Sequence, residues 1–196
     1  MEAAIARGQG KSSTGASLVN TMVEVIMPPS VAMIIECETD SQARTLQDLR
    51  HLTKVHGGNV TPTSYLFEKK GRVIFEKDER DIGVDDVLDD AIEAGAEDVE
   101  VDEDGSIIVW TEPTKTMAAG EALQKSHGLK VESSDIIWDA NDDTRVPLEE
   151  GKHLDSLSAF IDSLQEQSEV QGVYANVAQG SLPDDTWEDL VGKLDA

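Results

Sequence analysis

Six cations have the side-chain type and the spacing to hold phosphate oxygens. Arg44, Arg50 and Lys54 fall within residues 41–56, where Leu46, Leu49 and Leu52 recur at helical spacing. On such a helix Arg44, Gln47, His51 and Lys54 form a stripe opposite the leucines, with Arg50 beside it. Lys69, Lys70 and Arg72 form a second cluster around Gly71, in a segment that reads as a hairpin-like turn. Both clusters suit phosphate contact, which positions a protein on nucleic acid without reading its bases. The same residues would also serve as a solvated helix face and a soluble turn. Only Tyr65, Phe67 and Phe75 stand near them, too few aromatics for the stacking platform of an RNA-recognition sheet.

Other chemistry lacks its constellation. His51, His56, His127 and His153 are scattered, with no zinc-ligand spacing, and the lone Cys37 has no partner nucleophile or base in sequence. Glu100, Asp102, Asp104 and Gly105 match the first half of a calcium loop, but Thr111 stands where that loop requires glutamate. Gly8, Gly10, Lys11 and Ser12 resemble a phosphate loop in composition only, because Ile5 occupies the position of its first glycine. Asp85, Asp86, Asp89 and Asp90 are most simply the solvated face of a helix. The expectation is a non-enzymatic protein with no cofactor, no metal and no small-molecule substrate.

Charge restricts where an anionic partner could dock. The chain of 196 residues carries 16 Lys and Arg against 40 Asp and Glu, a net −24. Residues 1–80 hold ten of each sign, whereas residues 81–196 hold six basic and thirty acidic side chains. A nucleic acid would therefore have to meet the first 80 residues. No apolar run is long enough to span a bilayer, so membrane insertion is not expected. One cysteine cannot form an internal disulfide, which fits a reducing compartment.

The elements that must position these groups follow from periodicity. A strand over Val31–Thr39 leads through Asp40 or Ser41, either able to cap, into the 41–56 helix. A strand over 64–68 precedes the Lys69–Arg72 turn. Residues 73–138 then read strand, helix, strand, strand, helix, strand, with helices over Val84–Glu93 and 115–127, the ferredoxin-like order. Beyond an acidic spacer come a helix over 153–165 and a strand over 170–177, which can complete a sheet begun by the first strand. The fold class is thus α+β: two ferredoxin-like-type α/β sandwich domains, one inserted into the other, after a short helical N-terminal remnant. The divisions are 1–21 for remnant and linker, 22–71 with 147–180 for a discontinuous middle domain, 72–146 for the inserted domain and 181–196 for a tail.

Several segments resemble one family. They include residues 4–8 (AIARG), 32–40 (AMIIECETD), 56–59 (HGGN), 64–71 (SYLFEKKG) and 93–99 (EAGAEDV). In order, from about residue 4 to 177, they are similar to the YebC family, with bacterial and mitochondrial branches. The resemblance implies a three-part architecture of which the helical first domain is mostly missing here. It implies a regulator of gene expression: a mitochondrial translational activator contacting the mitochondrial ribosome or mRNA, located in mitochondria. The alternatives are a DNA-binding transcriptional regulator, against which the net charge and the lack of a groove-reading module stand, and a protein-only adaptor using the acidic inserted domain.

Overall fold

The computed structural model describes residues 17–195. The N-terminal helical remnant and the Gly8–Ser12 motif of the sequence reading lie outside them. The chain forms two compact units: residues up to Glu68 with those from Asp139 onward, and Lys69–Trp138. Each has its own four-stranded sheet, and the described residues contain five α-helices. The protein is α+β.

The first unit opens with a hairpin of β1 (Val19–Met27) and β2 (Val31–Thr39), turned at Pro28, Pro29 and Ser30. Next come α1 (Gln42–Val55) and the two-residue strand β3 (Asn59–Val60). After the second unit the chain returns through β8 (Val146–Pro147), α4 (Lys152–Gln165), β9 (Val170–Ala175), β10 (Val177–Ala178) and α5 (Asp184–Val191). The main sheet has the order β3-β1-β2-β9. Alternation puts Val23, Val25, Met27, Met33, Ile35 and Cys37 on one face, under Leu49 of α1, Phe160 and Ile161 of α4 and Leu190 of α5. Strand β1 was not expected from sequence, where residues up to 21 read as linker. Its alternation is the physical signal that decides it.

The second unit contains β4 (Phe67–Phe75), α2 (Val84–Glu93), β5 (Ala96–Val101), β6 (Ile107–Thr111), α3 (Thr116–His127) and β7 (Val131–Ala140). Its sheet order, β5-β6-β4-β7, is that of a ferredoxin-like domain. Val73, Phe75, Val99, Ile107 and Val109 face Val87 and Ala91 of α2 and Ala119 and Leu123 of α3. Gly128 ends α3 in the left-handed region, at φ 67°, where a Cβ would be strained.

One sequence expectation is corrected here. Residues 69–72 do not turn. They lie inside the nine-residue strand β4, and the residues before it, Ser64–Leu66, form a 3-10 turn rather than a strand. The glycine that suggested a turn has another reason: a Cβ on Gly71 would overlap the hydroxyls of Thr116 and Thr111. Lys70 and Arg72 alternate with the buried Gly71 and Val73, as a strand requires.

Candidate nucleic-acid interface

Helix α1 is seated by threonines as much as by leucines. Thr45, Leu49 and Thr53, spaced by four, are its buried residues. The Thr45 hydroxyl donates to Thr39 Oγ1 at 2.8 Å, and Thr53 Oγ1 donates to the Leu49 carbonyl at 2.7 Å. At the far end the His56 ring lies 5.7 Å from Phe160 of α4, with Nδ1 2.9 Å from the Leu52 carbonyl. These contacts fix the rotation of α1 and turn Arg44, Arg50, His51 and Lys54 to the surface.

The three helix cations are not equivalent. Arg44 donates to Asp40 Oδ1 at 2.9 Å and Glu169 Oε1 at 3.3 Å, so its charge is largely countered. Arg50 and Lys54, one turn apart, are exposed and make no ion pair among the described residues. Asp48 is the single acid on this helix. Lys54 also lies in the last turn, where the negative end of the helix favours a cation.

Lys69, Lys70 and Arg72 belong to the other unit, on β4. The Lys69 ammonium lies over the Trp138 ring, 5.2 Å from its centroid. Lys70 and Arg72 are half-buried and engaged by neighbours. The six candidates therefore divide into an exposed pair on α1, a paired Arg44, and three strand residues that are already in use.

Other candidate groups have structural work. Asp102 Oδ1 accepts from the Asp104 and Ser106 amides and closes the β5–β6 hairpin. His127 Nε2 lies 2.7 Å from Asp90 Oδ2, joining α3 to α2. Burial, with Glu169 and Glu36 nearby, pushes the Cys37 thiol up to about 11, far from a reactive thiolate. Sequence reasoning missed Trp110, half-buried on the helix-free face of the second sheet and directly opposite Arg72 of β4. Only the strand order reveals that neighbourhood.

The family described as the TACO1/YebC second and third domain matches residues 18–177. The chain belongs to the YebC family. A probable transcriptional regulatory protein of Nitrosococcus oceani is 38% identical over 179 residues, covering 90% of this chain and 69% of that protein. The transcriptional regulatory protein PmpR of Pseudomonas aeruginosa is 34% identical over 195 residues, covering 97% and 73%. A crystal structure of a conserved hypothetical protein from Aquifex aeolicus superposes with a TM-score of 0.69 at 30% identity, covering 92% of this chain and 74% of that one. YebC relatives thus carry the names of transcriptional regulators, not of enzymes.

The mitochondrial location implied by the resemblance is overturned. The relatives come from bacteria, Nitrosococcus, Pseudomonas and Aeromonas among them. None of the relatives named here is tied by its name to a mitochondrial ribosome or message. Among the described residues no helix of this YebC chain is long and apolar enough to cross a membrane.

Proposed function

We propose that the chain regulates gene expression by setting Arg50 and Lys54 of α1 on the phosphates of a folded RNA. One observation carries this reading: two cations a turn apart, held outward by a helix whose opposite face is locked by Thr45, Leu49 and Thr53, with no carboxylate countering them among the described residues. Two contacts are a small anchor on a molecule at −24, which favours a target pre-folded to meet them over non-specific duplex binding. The nature of the contact is positional and does not read bases. Duplex DNA is the second reading, and what favours it is the name transcriptional regulatory protein carried by the relatives.

Fluorescence anisotropy with a labelled RNA hairpin and a labelled DNA duplex, each over a salt series, tests both. Reversing both charges (R50E/K54E) should weaken RNA binding at least about tenfold and flatten the salt slope by about 1.8, the share of two phosphates on a double-stranded stem. Arg44→Glu should cost less, because Arg44 is already paired with Asp40 and Glu169. Equal losses for R44E and R50E/K54E, or none for either, would remove the α1 contact. Tighter binding to the duplex, with the same dependence on Arg50 and Lys54, would move the reading to DNA.

A further inference from the structure

We propose that the helix-free face of the second sheet docks an extended cationic segment of a partner protein, with Trp110 as its platform and Asp98 and Glu100 as its counter-charges. The register places these groups together. Asp98 of β5, Trp110 of β6 and Arg72 of β4 form one row across the sheet, and Glu100, Ile108 and Ile74 form the next. All six point away from the helices, since their strand neighbours Val99, Ile107, Val109, Val73 and Phe75 are buried beneath α2 and α3.

The indole is held in place. Trp110 Nε1 donates to Glu100 Oε1 at 2.8 Å, diagonally across to the neighbouring strand. An indole tied to a residue on the same sheet face stays at the surface of that face, where a cation can be attracted by the ring quadrupole. Both flanking carboxylates are exposed, and neither meets a cation within ion-pair distance among the described residues. Ile74 and Ile108 extend the patch with half-buried apolar surface.

Charge selects the occupant. A nucleic-acid strand stacked on Trp110 would bring its phosphates beside the exposed Asp98 and Glu100, whereas Arg72 and Lys70 on the same side of β4 are half-buried and already engaged by neighbours, and residues 69–138 hold eight Lys and Arg against nineteen Asp and Glu. A lysine- or arginine-bearing segment meets the opposite field, which both steers and retains it. Strand β5 is the edge of the sheet, so an extended segment can run alongside it with alternate side chains over the face. This site is separate from the α1 cations and stands or falls without them.

The probe is a synthetic ten-residue peptide of alternating arginine and threonine, which puts every arginine on one side when extended. Titrated into the full chain, it should shift the Trp110 indole resonance, assigned with Trp110→Phe. The isosteric pair D98N/E100Q keeps the hydrogen bonds to Val99 and Trp110 and removes only charge. It should weaken peptide binding about fivefold, the loss of two exposed ion pairs with the indole left in place. The pair D85N/D89N makes the same charge change on exposed positions of α2 and should weaken it less than about twofold, as screened long-range charge does. Equal weakening by both pairs, an unmoved Trp110 resonance, or displacement of the peptide by oligouridylate of the same length would overturn the proposal. Peptide binding unchanged by R50E/K54E would show that this surface acts apart from the nucleic-acid contact.

Discussion

The two sheets use their helix-free faces in opposite ways. In the first unit, Ala32 and Ile34 of β2 are fully buried on that face. The segments entering and leaving the second unit are bonded there: the Thr63 hydroxyl donates to the Met33 carbonyl, and the Asn176 amide bridges Ala32 to the Thr144 carbonyl. In the second unit the corresponding face leaves Trp110, Ile108 and Ile74 half-buried and Asp98 and Glu100 exposed. A sheet whose face clamps its own chain must present function elsewhere, and in the first unit that is the outer side of α1. A sheet whose face carries exposed carboxylates beside a half-buried indole can present function on the strands themselves.

The comparison breaks most sharply at Gly71. Valine there would drive its side chain into Thr111 and Thr116, whose hydroxyls already touch at 3.0 Å. Overpacking of this kind should cost about 3 kcal/mol. Amide exchange should show lost protection in β4 and β6 while β1 and β2 keep theirs. Loss spread evenly over both sheets would mean that the two faces are not independently supported. Asn176→Ala is the converse. Asn176 is buried, accepts from Ala32 N at 2.8 Å and donates to Thr144 O at 2.8 Å. Its removal leaves two backbone groups without partners and should cost about 2 kcal/mol, read as a lower denaturant midpoint with protection lost in β2 and β9.

Most helices were legible because their apolar residues recur at helical spacing, as at Leu157, Phe160, Ile161 and Leu164 of α4, and because a glycine follows, as Gly128 follows α3. The alternation of β1 was present in Val23, Val25 and Met27, but its first residues read as part of a linker ending at Thr21, after the turn-prone Gly8–Gly15 stretch. Residues 69–72 misled because a glycine among cations has the composition of a turn, while its real constraint, two threonine hydroxyls from β6 and α3, is remote in sequence. The candidate site divided in the same way. Exposure of Arg50 and Lys54 followed from the helical period, whereas pairing of Arg44 with Glu169 needed a contact 125 residues away. Trp110 could not be placed beside Arg72 before the strand order was known, since β4 lies next to β6 in the sheet but two strands earlier in the chain.

The smallest expected effect sharpens the comparison through pH. Glu24 of β1 accepts the Thr63 and Ser64 amides at 2.9 Å and 2.6 Å, fixing the start of the 3-10 turn that leads out of the first unit. Burial alone would raise its carboxyl, but the bonds from Thr63 and Ser64 prevail and hold it below the ordinary glutamate value. A depressed carboxylate stabilises the fold fully above its unfolded value, and that contribution is lost as pH falls through the folded one. Acidification below the ordinary carboxylate range should therefore release the Thr63 and Ser64 amides, seen as a titration of their proton shifts. Glu24→Gln keeps one acceptor oxygen without the charge. It should cost about 1 kcal/mol at neutral pH, the difference between a charged and a neutral acceptor, and abolish that titration. If the amide shifts of Thr63 and Ser64 titrate unchanged in E24Q, Glu24 does not hold that turn, and the contrast between the faces rests on Asn176 and the Thr63 hydroxyl.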